Sequence, residues 1–102
     1  MAGIGTFEFA GPLWQHDSDG GWHFVTVPHE VSAEIADITA GTRRGFGSVR
    51  VVVTVGTASW QTSVFPDKSG AYQLPVRRAV RVSEQLEAGN DVRIRLELLD
   101  PK

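Results

Sequence analysis

Trp22-His23-Phe24-Val25-Thr26-Val27-Pro28 has an echo in Ala71-Tyr72-Gln73-Leu74-Pro75, with the two prolines 47 residues apart. Each stretch is a short strand that stops at a proline, and each follows a polar, glycine-bearing turn (His16 to Gly21; Pro66 to Gly70). The match continues outward. Upstream, Gly5-Thr6-Phe7-Glu8-Phe9 corresponds to Gly56-Thr57-Ala58-Ser59-Trp60. Downstream, each proline leads into a short helical stretch. A strand then follows, Gly47-Ser48-Val49-Arg50-Val51 in one copy and Asp91-Val92-Arg93-Ile94-Arg95-Leu96 in the other. Each half therefore reads hairpin, proline, short helix, strand. Two such halves can close one barrel about a pseudo-two-fold axis. The offsets differ, 47 for Pro28 and Pro75, 51 for Gly5 and Gly56, 43 for Val49 and Val92, so the repeat is one of architecture with unequal loops.

The alternation inside the halves supports strands. Val49, Val51, Val53 and Val55 alternate with Arg50, Val52 and Thr54, and Val92, Ile94, Leu96 and Leu98 with Arg93, Arg95 and Glu97. That period of two marks half-buried strands. Trp60, Thr62 and Val64 share one face, Gln61, Ser63 and Phe65 the other. Six strands are predicted, over 5–14, 22–27, 47–55, 58–65, 71–74 and 91–98. Pro28 and Pro75, with their fixed φ, suit the first turn of the two helices. In the first, Val31, Ile35 and Ile38 form the expected buried stripe beside an acidic face of Glu30, Glu34 and Asp37. In the second, Val76, Ala79, Val80 and Leu86 are expected inward, Arg77, Arg78 and Arg81 outward, with Gly89 ending the helix. The fold class is all-β with two short helices: a double-split pseudobarrel of six strands, one domain over 1–102, capped by the helices.

Composition narrows the function. The chain has 102 residues, 41% of them hydrophobic and none of them cysteine, which removes disulfides, thiolate metal sites and cysteine nucleophiles. The longest valine run, Val51-Val52-Val53, is far too short for a membrane span, and the N-terminus lacks the charged and apolar regions of a signal peptide. A cytoplasmic monomer is the expectation. Net charge is −2, unevenly spread: residues 1–42 hold six acids and no Lys or Arg, while all 10 basic residues lie in 43–102. Such a split marks either an anion-binding face or two halves that attract one another.

Several motifs taken in order carry a family resemblance. Arg44-Gly45-Phe46-Gly47-Ser48-Val49, Trp60-Gln61-Thr62-Ser63-Val64-Phe65-Pro66, Tyr72-Gln73-Leu74-Pro75-Val76-Arg77-Arg78-Ala79-Val80-Arg81 and Gly89-Asn90-Asp91-Val92 together resemble the bacterial domain of unknown function DUF1905. The resemblance runs from Phe7 to Leu98 and implies a double-split barrel capped by short helices. Asn90 departs from the pattern, standing between the glycine and aspartate that the family usually joins directly. The segment Leu74 to Arg81, with Leu86, Gly89 and Asp91-Val92, also looks like the swapped-hairpin transcription factors of the AbrB and MazE type. Those build such a barrel from two chains, and the likeness speaks to fold more than to DNA binding.

The residues offer little catalytic chemistry. His16, His23 and His29 are spaced by seven and six, unlike a helical metal pair, and Asp17 and Asp19 lack the distal Glu of a calcium loop. No Gly-x-Ser-x-Gly elbow or phosphate loop is present, so no enzyme activity, cofactor or metal is expected. The candidate site is a concave polar-aromatic patch of Trp60, Thr62, Ser63, Tyr72, Arg77 and Arg81. Aromatic walls, placed hydroxyls and an arginine fork suit a small anionic ligand. The competing reading makes Trp60 core and pairs the arginines with Glu84 or the acidic N-terminal half. A protein partner fits equally well. A DNA-binding stripe of Arg43, Arg44, Arg50, Arg77, Arg78 and Arg81 is a further alternative, disfavoured by a pI near 5.8.

Overall fold

The computed structural model describes residues 3–16, 21–41 and 47–99. Six strands and two helices follow in the order β1 (Gly3–Gln15), β2 (His23–Thr26), α1 (His29–Thr39), β3 (Val49–Val55), β4 (Ala58–Pro66), β5 (Tyr72–Pro75), α2 (Arg78–Ser83) and β6 (Asp91–Leu99). The strands close into a barrel in the order β1-β2-β5-β4-β3-β6, and every pairing is antiparallel. Closure joins the first strand to the last, so no strand lies wholly at a sheet edge.

The pseudo-two-fold is written in the registers. Exchanging β1 with β4, β2 with β5 and β3 with β6 returns the same ring. On the axis, a residue must pair with its own equivalent. Thr26 pairs with Gln73, 47 residues away, the separation of the two prolines. On the opposite wall Val53 pairs with Leu96, repeating the 43-residue separation of Val49 and Val92. The third offset needs correction. Phe7 pairs with Leu96, and Trp60 pairs with Val53, so Trp60 is the counterpart of Phe7, 53 residues on. Matching Gly5 to Gly56 gave 51; a slip of two leaves every side chain on its proper face.

Alternation fills the barrel. Val25, Val51, Val53, Val64, Leu74, Ile94, Leu96 and Leu98 are wholly buried. Each such side chain contributes about 1.5–3 kcal/mol by leaving water. The helices differ from expectation in phase and length. On α1 the buried positions are Ser32, Ile35 and Thr39, while Ile38 is 42% exposed and Val31 only half-buried. Two hydroxyls lie inward because each finds a backbone partner. Ser32 Oγ donates to the Val27 carbonyl at 3.1 Å and accepts from Tyr72 N–H at 3.0 Å, and Thr39 Oγ1 donates to the Ile35 carbonyl. Ile38 instead covers Gly5, where its Cδ1 lies 3.4 Å from the position of a Cβ.

The second helix ends well before Gly89. Gln85 adopts φ 56, and Leu86 N–H and Gln85 N–H reach back to the Arg81 and Val82 carbonyls. This is the paired bonding of a left-handed C-terminal cap, formed here without glycine. Val80 is buried as expected and Ala79 is exposed; Val76 is buried just ahead of the helix. Asn90 has a definite job. Its side-chain oxygen accepts from Glu87 N–H and its carbonyl from Leu13 N–H, which seats the turn against β1.

Candidate functional site

Two gaps in strand pairing set up the site. β1 meets β2 only over Leu13 to Gln15, and β4 meets β5 only at Phe65 and Pro66, so the earlier part of each long strand has a strand neighbour on one side alone. At the first gap the 11-residue α1 packs on β1, where Phe7 and Phe9 lie half-buried against the core. At the second gap α2 is only 6 residues long. Trp60 stands in the place of Phe7 and Thr62 in the place of Phe9. A shorter helix and a small hydroxyl side chain leave open what the first half fills.

The opening is a cleft of about 400 Å³ walled by Trp60 and Thr62 of β4, Trp22 and His23 of the first hairpin, and Arg77, Arg78 and Arg81. A wider groove of about 790 Å³ continues over α2 past Gln15, sharing His23, Arg78 and Arg81. Of the six residues expected at the site, Trp60, Thr62, Arg77 and Arg81 come together here. Tyr72 does not: it faces the barrel interior at 1% exposure and belongs to the core. Ser63 lies opposite Arg50 on the outer face of β4, as its alternation with Thr62 requires. Trp60 is half-buried, so it serves as core and cleft wall at once.

Arg81 is held in place. Its Nε donates to the Val76 carbonyl at 3.3 Å, and its Nη1 lies 3.5 Å from His23 Nε2. His23 Nδ1 sits 2.6 Å from the Gly21 carbonyl, which can only accept, so Nδ1 carries the proton and Nε2 turns its lone pair to Arg81. Arg77 and Arg78 are exposed, and no hydrogen bond or ion pair engages their side chains among the described residues. The Glu84 carboxylate is occupied elsewhere, accepting from Thr57 Oγ1 at 2.9 Å and from Ser83 Oγ. Arg43 and Arg44, and the aspartates Asp17 and Asp19, lie outside the described residues.

The Domain of unknown function (DUF1905) family model matches residues 9–96. The chain belongs to this family. Its match spans both halves of the barrel and therefore every residue of the cleft just described. No curated protein matches this DUF1905 chain. Among the described residues, no helix is long and apolar enough to cross a membrane.

A second concavity escaped the sequence reading. Trp14, His16, Trp22, Phe24 and Phe65 line a cleft of about 600 Å³ on the outside of the first hairpin, beside Asp67 and Gln73. Trp14 and Phe24 are register partners with ring centroids 5.1 Å apart, and Trp22 stacks on Phe24 at 6.2 Å and 13°. A signal was present. Trp14 and Phe24 occupy the outward positions that flank inward Leu13 and Val25, where strand alternation calls for polar residues.

Proposed function

We propose that this DUF1905 domain is a non-enzymatic, monomeric cytoplasmic binding module whose β4–α2 cleft takes a small anion bearing a carboxylate or phosphate. One observation carries the reading: Arg77, Arg78 and Arg81 line one concave cleft with the Thr62 hydroxyl and the Trp60 and Trp22 rings. Arginine forks bind carboxylate and phosphate oxygens in pairs, and an aromatic wall excludes competing water. Arg81 is pre-positioned by Val76 and His23, which lowers the ordering cost of binding. A duplex-binding regulator is disfavoured because the helix equivalent to α2 presents exposed Glu30, Glu34 and Asp37, which repel phosphates.

Calorimetric titration with inorganic phosphate and with citrate tests the reading. Arg77→Ala should leave the melting temperature nearly unchanged and weaken the bound anion about tenfold, the scale of one lost charge-assisted contact. Arg81→Ala should weaken it at least as much. If neither anion binds the native protein, or if Arg77→Ala binds as the native protein does, the anion site is refuted.

A further inference from the structure

The outer aromatic cleft has an electrostatic character opposite to that of the arginine cleft, although Trp22 and Pro75 line both. Trp22 is 58% exposed and Phe65 47%, a large apolar outlay on a surface with no structural need for it. Apart from the His16 imidazole, whose ring sits beside Trp14 and Phe24, the polar side chains of the cleft are spent on one another. Trp14 Nε1–H donates to Thr26 Oγ1 at 3.1 Å, Thr26 donates to Gln73 Oε1 at 2.9 Å, and Gln73 Nε2 donates to Asp67 Oδ2 at 2.9 Å. Asp67 Oδ1 accepts from Ser69 N–H and Oγ. This relay fixes the carboxylate at the rim and keeps it charged; its hydrogen bonds from Ser69 and Gln73 hold its pKa below the usual carboxylate value.

What remains for a ligand is therefore several π faces, the His16 ring among them, and one negative charge. A sugar would look for spare donors and acceptors along the relay and find them engaged. A neutral apolar guest would cover a fixed carboxylate without compensating it, at a cost. A substituted ammonium satisfies both features, since its methyl groups pack on the ring faces while its charge is attracted by the ring quadrupoles and the carboxylate. We propose that the cleft formed by Trp14, Trp22, Phe24, Phe65 and Asp67 is a binding site for a small organic cation of the quaternary-ammonium class.

Tryptophan fluorescence titration with tetramethylammonium and with choline, at constant ionic strength, tests this. Saturable binding on the order of millimolar is expected for a partly exposed cage of this kind. The neutral choline isostere 3,3-dimethylbutan-1-ol should bind at least about tenfold more weakly. Phe65→Ala and Asp67→Asn, both at exposed positions, should each keep the native circular dichroism spectrum and weaken the cation several-fold. Arg81→Ala should leave cation binding unchanged, which separates this site from the anion cleft. The proposal is overturned if the neutral isostere binds as tightly as choline, if Asp67→Asn binds like the native chain, or if cellobiose saturates the signal while the cations do not.

Discussion

Replacing Ser32 by alanine removes one oxygen and should cost more than most single changes on a helix. Ser32 is 2% exposed and its hydroxyl stitches α1 to the barrel between the Val27 carbonyl and the Tyr72 N–H. The Tyr72 N–H loses this acceptor at a site that water does not reach, and a buried donor so deprived costs about 1–3 kcal/mol. The Val27 carbonyl, with two lone pairs, loses less. Against this, alanine is the better helix former by about 0.5 kcal/mol. The net expectation is a loss of about 1–3 kcal/mol, or about 4–24 °C in melting temperature for a domain of this size. Urea unfolding followed by tryptophan fluorescence reads the change as a lower midpoint at unchanged slope. Exposed Ser59→Ala should stay within about 0.5 kcal/mol of the native chain. A Ser32→Ala protein as stable as Ser59→Ala would refute the account of why a polar residue occupies the buried face of α1.

The phase of α1 is tested by a pair of changes: Ile35→Ala, at 0% exposure, should cost about 2–5 kcal/mol, and Ile38→Ala, at 42% exposure, clearly less, both read by thermal melting. Asp67 has a folded pKa below its unfolded value, so its contribution to stability is present above the unfolded value of about 3.8 and is lost as pH falls through the lowered one. Acid titration of stability should thus be slightly steeper in the native chain than in Asp67→Asn, and equal slopes would contradict the relay. Duplex DNA should show only weak, steeply salt-dependent association at low ionic strength, and fluorescence anisotropy finding submicromolar binding at about 150 mM salt would favour the regulator reading.

The barrel was legible because its strands alternate cleanly, and Val49 to Val55 and Val92 to Leu98 are buried as their period requires. The helices were less so. Hydropathy places Ile38 inside and Ser32 outside, and cannot see that a hydroxyl with two backbone partners is cheaper to bury than an isoleucine is to leave covering Gly5. The end of α2 was misread because the left-handed cap is Gln85, not a glycine. At the site, Trp60 with Thr62 and Arg77 with Arg81 were legible as neighbours on one strand face and one basic segment. Trp22, His23 and Arg78 were not legible as cleft residues, since the cleft exists only where the first hairpin lands against α2. The aromatic cleft was overlooked because aromatic residues in strands read as core until the register shows which way they point.

The registers have a topological consequence. Gly3 pairs with Leu99, so the start of β1 and the end of β6 lie side by side. The pseudo-equivalent place in the ring is the passage from β3 to β4, which the chain crosses through Gly56 and Thr57 alone. The six strands are thus a closed loop of hydrogen bonding in which one junction is bridged and its twin is cut. Bridging Gly3 to Leu99 and cutting at Gly56 would give a circularly permuted chain whose second half is translated first. Every strand neighbour would be kept, and so would both clefts, because neither is built across the cut.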